Sequence, residues 1–315
     1  MIRSAIGALL VTLAFQVNGQ GCSDAGFCTM GAMKPDQPFN KKVEFKLRSM
    51  EFSFYRGTTT TSPIIYVATA DFSFSLNRNT FFQVKLPYQA VNGNFGSTNG
   101  LSDISLSITR TLKSTDKYDI NATIGGKIPS NNADLSDPTR NNIDFPMYYQ
   151  TSLGTYDAIA GISLKTRDWL FATGIQHPFN ENKNTFKWEE WPQPDIYPDS
   201  LYVRTYGQSN RLKRGTDMML RVERNFRFAQ YNFSLGALPI YRITKDEIED
   251  PDTGLRKKLD GTTGMALSII GTFGYSLNVR SGVRVLMGFK VTDRKTNPDG
   301  LTRNMVSTVS YYYRF

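Results

Sequence analysis

The feature that most limits how this chain can fold is a period of two that recurs along most of its length and runs to the last residue. In the closing stretch Met305, Ser307, Val309, Tyr311, Tyr313 and Phe315 share one parity, while Asn304, Thr308, Ser310 and Arg314 share the other. Successive side chains of a β-strand point to opposite faces, so such a stretch is a ribbon with one apolar face and one polar face. The pattern repeats in segment 64–76, where Ile64, Tyr66, Ala68, Ala70, Phe72, Phe74 and Leu76 alternate with Thr69, Asp71, Ser73 and Ser75. It repeats again in 118–128, 156–164 and 229–241, and in Val283, Val285, Met287, Phe289 and Val291 set against Arg284, Gly288, Lys290 and Thr292. A helix would scatter Arg284 and Lys290 around its circumference, which this period does not support.

Twelve segments of this kind span 42–56, 62–76, 79–89, 101–112, 116–128, 153–165, 167–178, 214–226, 228–243, 262–277, 280–293 and 303–315. In the first, Phe45 and Leu47 take one parity and Met50, Phe52 and Phe54 the other, which requires a bulge near Ser49. The links fall into two alternating sizes. Short ones at Asn77-Arg78, Ser114-Thr115, Arg167, Arg227 and 278–281 alternate with long ones at 90–100, 129–152, 179–213, 244–261 and 294–302, rich in Asn, Asp, Pro and Gly. Short turns at one end and long loops at the other are the asymmetry of a transmembrane β-barrel. A soluble β-sandwich has no reason to sort its loops this way. The fold class expected is all-β: a transmembrane antiparallel β-barrel of about twelve strands with both termini periplasmic.

The two ends of the chain agree with that reading. Residues 1–19 read as a cleaved signal peptide: Arg3 gives a positive start, Ala5 to Phe15 an apolar core, and Val17-Asn18-Gly19 a small-residue cleavage site. The apolar run is too short to anchor in a bilayer. Residues 20–41 form a periplasmic N-terminal segment or short plug, and 42–315 the barrel. A plug of that length can thread a narrow lumen but cannot fold alone. Cys22 and Cys28 close a small loop in an oxidising compartment, so a disulfide is expected. A soft-metal site of Cys22, Cys28, Met30 and Met33 and a docking epitope are the alternatives, and the C-x₅-C spacing is poor for zinc. Tyr311, Tyr313 and Phe315 fit an aromatic girdle and resemble the terminal signal read by the barrel-assembly machinery. The location expected is the outer membrane of a Gram-negative bacterium, with lipid bilayer, lipopolysaccharide and that machinery as partners, and outer-membrane or periplasmic proteins as further ones. The net charge of +9 is scattered over strands and loops, and export disfavours nucleic acid as a partner.

The inward parity is charged: Asp71, Lys85, Asp103, Asp119, Lys127, Asp157, Arg221, Glu223, Arg242, Arg284 and Lys290 are the lumen-lining candidates. They either pair across the lumen and stiffen the barrel, or line a path for solute. Twelve strands leave room for a narrow or gated lumen, between barrels filled by side chains and open porins.

Four sequence elements also carry a family resemblance. Leu86-Pro87-Tyr88, Gly100-Leu101-Ser102-Asp103-Ile104, Gly125-Gly126-Lys127-Ile128-Pro129-Ser130 and Ser152-Leu153-Gly154-Thr155-Tyr156-Asp157 follow one another in order and spacing. Together they resemble the meta-pathway phenol-degradation outer-membrane family, within the FadL-like superfamily, over roughly residues 80–178. Ser102 stands where that family has a second glycine, and Asn131 where it has another. The resemblance implies passive uptake of small hydrophobic compounds, in some relatives through openings in the barrel wall. The alternative is a non-conducting accessory subunit of a larger outer-membrane complex.

No enzyme and no cofactor is expected. The sole histidine, His177, precedes Pro178 at a strand end, and no nucleophile lies beside it in sequence, although a cross-strand serine is left open. Trp188-Glu189-Glu190-Trp191-Pro192-Gln193-Pro194 is a loop that caps the pore, binds a ligand or packs on other loops, and packing is the reading preferred.

Overall fold

The computed structural model describes residues 30–34, 46–191 and 198–315. The signal peptide, Cys22, Cys28 and the Pro192–Pro194 end of the tryptophan loop lie outside the described residues.

In chain order the strands are β1 (Lys46–Thr58), β2 (Ile64–Asn77), β3 (Thr80–Gly93), β4 (Gly96–Leu101), β5 (Ile104–Ser114), β6 (Tyr118–Ile128), β7 (Ser136–Asp137), β8 (Ile143–Asp144), β9 (Asp157–Thr166), β10 (Trp169–Pro178), β11 (Asp217–Arg227), β12 (Tyr231–Arg242), β13 (Glu247–Glu249), β14 (Arg256–Lys258), β15 (Gly264–Ser276), β16 (Ser281–Thr292) and β17 (Met305–Arg314). Twelve of them close a barrel in the order β1, β2, β3, β5, β6, β9, β10, β11, β12, β15, β16, β17, every neighbour antiparallel. Closure comes from β17 on β1, from Ser49↔Arg314 to Thr58↔Met305. No barrel strand is left with a free edge, the condition for placing a sheet in hydrocarbon. Among the described residues no helix is long and apolar enough to cross a membrane.

The two faces of each strand differ as the period of two requires. On β6 Ile124 is 66% exposed on the outer surface while Thr123 beside it is 1% exposed. Phe52, Phe54, Phe171, Leu220, Phe233, Phe273 and Val309 form part of an exposed apolar belt around the barrel, the surface expected to face lipid. The parity change near Ser49 is present as a register shift between Leu47 and Ser49 in the β1–β2 pairing, which keeps Leu47 and Phe52 on the same outer face.

One segment departs from expectation. Residues 90–100 are not an irregular loop: β3 continues to Gly93, turns through Asn94-Phe95 and returns as β4, paired from Gly93↔Gly96 to Tyr88↔Leu101. Between β4 and β5 the strand bulges at Ser102-Asp103, where the Ser102 N–H donates to the Pro87 carbonyl at 2.9 Å. The hairpin rises past the end of β6, leaving an open cleft of about 460 Å³ between β4 and the loop around Asp137. The long-loop end is further built up by the small hairpins β7–β8 and β13–β14.

Candidate functional site

The lumen is the candidate site, and it is filled in layers. At its waist the lumen is ringed on the β9–β17 side by the apolar Ile159, Ala172, Met219, Leu238, Ile270, Leu286 and Val306, and on the β3–β6 side by the polar Gln83, Ser107, Thr109 and Thr123. Into this ring the N-terminal segment inserts Met30 and Met33, both fully buried. Two strand glycines make the room. A Cβ on Gly161 would stand 2.8 Å from the Met33 sulfur, and one on Gly125 3.1 Å from the Met30 methyl. Glycine inside a strand weakens it, and here each marks the close approach of another chain segment. Gly31 between them has a φ of +48°, and a side chain there would collide with Thr109 and Thr123.

Polar bonds seat this stopper. The Gly31 N–H donates to Gln83 Oε1 at 2.8 Å, and Gln83 Nε2 donates to both oxygens of Asp71 at 2.9 and 2.8 Å. Lys34 Nζ lies 2.8 Å from Glu51 Oε2 and 2.8 Å from Asp71 Oδ2. Arg284 approaches Glu51 from β16 at 3.4 Å, and Lys85 stands opposite Asp71 in register. Arg221 and Glu223 pair at 2.8 Å on β11.

Toward the long loops the lumen is closed by an ion cluster. Arg242 bonds Asp217 at 2.7 Å, Asp246 at 2.8 Å and Asp299 at 2.8 Å, and Arg294 adds a contact to Asp299 at 3.4 Å. Burial alone would raise the Asp299 carboxyl. The guanidiniums of Arg242, Arg294 and Arg214 override burial and hold it well below the usual carboxylate range. Burial, reinforced by the neighbouring Asp299 charge, pushes Asp246 up despite Arg242. Arg214 pairs with Asp157, which also accepts from Gln176 and Thr155. Lys127 reaches Asp103 at 3.6 Å, and Asp103 accepts from the Ser152 hydroxyl at 2.5 Å and from the Leu153 N–H. The four elements that carry the family resemblance thus meet at one rim: Pro87 and Ser102-Asp103 at the β3–β5 seam, Lys127 ending β6, and Ser152 to Asp157 opening β9.

Above this cluster the loops build an aromatic cap. Phe95 at the β3–β4 turn meets Trp191 at 4.7 Å and Tyr206 at 5.1 Å between ring centroids, with Phe145, Tyr149 and Phe186 packed around them. Trp188 donates its indole N–H to the Tyr206 carbonyl at 2.8 Å. The described part of the tryptophan loop packs on other loops.

Of the residues singled out in sequence, Asp103, Lys127, Asp157 and Arg242 come together at the upper rim, and Asp71, Lys85 and Arg284 gather around the stopper's lysine. Lys290 joins Asp293 at 3.0 Å and Asn304 at 2.9 Å. Asp119 stands apart at the short-turn end, accepting from Ser114 at 2.6 Å. Sequence reasoning missed Gly31, Glu51, Gln83, Arg214, Asp217, Asp246, Arg294 and Asp299. Inward strand glycines at 125 and 161 were the available signal for the stopper. His177 faces outward, its Nδ1 2.8 Å from Thr216 Oγ1 on the neighbouring chain segment and its ring against Phe179. Among the described residues no group of three or more His, Cys, Asp or Glu side chains is placed to hold a metal ion.

These observations define a closed twelve-stranded β-barrel with an apolar outer belt and an occluded lumen. By sequence, no protein-family model and no curated protein matches the chain. By structure it is similar to the COG4313 outer membrane channel from Pseudomonas putida F1, with a TM-score of 0.61 at 11% identity, covering 89% of this chain and 99% of that one. Looser similarity extends to the NanC porin (TM-score 0.44, 10% identity, 86% and 99% covered) and to the CymD monoaromatic hydrocarbon channel (TM-score 0.42, 12% identity, 96% and 99% covered).

Proposed function

We propose that this protein is an outer-membrane barrel, its short turns and both termini toward the periplasm, that admits small apolar compounds passively and uses residues 30–34 as a removable stopper. The observation that carries the reading is the waist. A lumen closed by ion pairs along its whole length would reject an apolar solute, because a buried pair broken by an uncharged guest leaves charges unsolvated. Here one side of the waist, from β9 to β17, is aliphatic and meets two thioethers, the most adaptable of apolar groups. An apolar guest can replace Met30 and Met33 with little loss of contact. The order of the Leu-Pro-Tyr, Ser102-Asp103, Lys127 and Gly154 elements supports placing the chain near the meta-pathway phenol-degradation family. The similar barrel from Pseudomonas putida F1 is described as an outer membrane channel, which agrees. Tyr311, Tyr313 and Phe315 then sit in the periplasmic girdle and present the assembly signal, and lipopolysaccharide surrounds the long-loop end. We assign no reaction to His177, whose hydrogen-bond partner among the described residues is a threonine hydroxyl.

A second reading is favoured by the aromatic cap and the Arg242 cluster, which close the lumen a second and third time. On that reading the barrel is a silent subunit of a larger assembly. Recordings in planar bilayers separate the two. The channel reading expects rare conductance from the intact protein and frequent conductance after deletion of residues 20–41. It also expects toluene to shift the methyl NMR signals of Met30 and Met33. Silence in both forms, with unmoved methyl signals, supports the accessory reading.

A further inference from the structure

At the short-turn end of the lumen two arginines stand on neighbouring strands with no carboxylate paired to either among the described residues. Arg48 lies in the β1 bulge, and Arg314 of β17 pairs in register with the next residue, Ser49. The Phe315 N–H donates to the Arg48 carbonyl at 3.0 Å, so the two backbones are locked side by side. The register thus sets the two side chains at the same level on neighbouring strands. Each is held over a ring: Arg48 at 5.3 Å from the Phe81 centroid and Arg314 at 4.7 Å from that of Tyr312. Phe81 shares its parity with buried Gln83, and Arg314 with buried Ser310, so this group faces the lumen. A ring face positions a cation without neutralising it.

This arrangement differs from the other lumen guanidiniums described above. Arg214 has Asp157, Arg221 has Glu223, Arg242 has three aspartates and Arg284 has Glu51. Among the described residues neither Arg48 nor Arg314 pairs with a carboxylate. Both are half-buried, near the short-turn ends of β1 and β17. Basic residues outnumber the acids Asp116, Asp119 and Asp168 at this end. Arg78, Lys117, Arg167, Arg227 and Arg280 mark the five short turns, and the Arg280 carbonyl accepts the Arg314 N–H at 2.7 Å. Like charges side by side are costly while empty and are relieved by an anion between them.

We infer that Arg48 and Arg314 form an anion clamp at the lumen end, and that it takes the carboxylate of a small aromatic acid. The planar guanidinium fork matches a planar carboxylate bidentately, and a guanidinium stacked on one ring offers its other face to a second. Phe81 and Tyr312 supply apolar edges for the body of the ligand. The inference uses the proposed solute path to explain how such a ligand arrives, while binding itself requires no flux.

The test is calorimetric titration of the full chain in non-ionic detergent with benzoate, with neutral benzyl alcohol and with inorganic phosphate. Benzoate should bind more tightly than either. Arg48→Gln and Arg314→Gln should each weaken benzoate by about tenfold or more and leave benzyl alcohol unchanged. Arg48→Lys keeps the charge but not the fork, and should also weaken benzoate. Arg167→Gln, in a turn away from the clamp, should not. Heat-modifiable gel migration establishes that each variant is folded. The clamp is refuted if benzoate does not bind, if it ignores both glutamine variants, or if phosphate binds as tightly. Benzoate binding by a barrel that never conducts would keep the clamp and overturn the channel reading. Conductance without benzoate binding would do the reverse.

Discussion

Replacing Arg242 with methionine should lower the stability of the barrel by about 3–5 kcal/mol, the usual cost of stranding buried charges when one partner is removed. The side chain is fully buried, and its departure leaves Asp217, Asp246 and Asp299 facing one another with Arg294 and Arg214 as the remaining cations beside them. These aspartates come from β11, the β12–β15 loop and the β16–β17 loop, so the long-loop end should loosen together. The measurement is the temperature at which heat-modifiable migration is lost, with trypsin cleavage after Lys295 as a local readout. Lys245→Met is the control. Its partner Asp260 is 90% exposed, so solvent screens that pair and its loss should be small beside that of Arg242. Equal stability of the two variants would mean that the cluster does not tie the loops.

Substituting Gly31 with valine should open the lumen. The residue has a left-handed φ of +48°, and any Cβ would enter the space of Thr109 and Thr123, whose hydroxyls are hydrogen-bonded at 2.7 Å. A β-branched residue in that conformation costs about 1–2 kcal/mol, and overpacking a further 1–3 kcal/mol. Together these should shift the seated-to-unseated ratio by on the order of a hundredfold. The barrel strands themselves are untouched, so heat-modifiable migration should stay near that of the parent while conductance in planar bilayers rises. A silent Gly31→Val barrel would show that the Arg242 cluster and the aromatic cap keep the lumen shut without the stopper, and would favour the accessory reading.

The twelve strands were legible because a wall between lipid and lumen imposes the same constraint on every residue. Even the irregular parity of Phe45, Leu47, Met50 and Phe52 pointed to the bulge that the β1–β2 register contains. The β3–β4 hairpin was not legible. Asn92, Gly93, Asn94, Gly96, Asn99 and Gly100 have the composition of a loop, yet above the apolar belt a strand can be polar on both faces and still pair. The inward position of Asp103, Lys127, Asp157 and Arg242 followed from parity. Their partners did not, because Arg214, Asp246, Arg294 and Asp299 lie in loops where no period applies, and they reach the lumen only through tertiary folding. A short plug within 20–41 was one of the two readings of that segment, but its seat was hidden for a related reason. Met30 and Met33 have no periodic context, and the glycines that receive them are on other strands, so neither half of the contact reads as one in sequence.

The central claim is that solute passes through the waist only when Met30 and Met33 leave it, and a reversible lock tests it most directly. In a Cys22→Ser, Cys28→Ser background, Met33→Cys with Gly161→Cys puts one sulfur in place of the Met33 γ-carbon and the other one bond beyond a Cβ that would lie 2.8 Å from the Met33 sulfur, a span that a disulfide can bridge. Oxidised protein should be silent in planar bilayers, and reduction in place should restore conductance in the same membrane. Equal conductance before and after reduction would contradict the account.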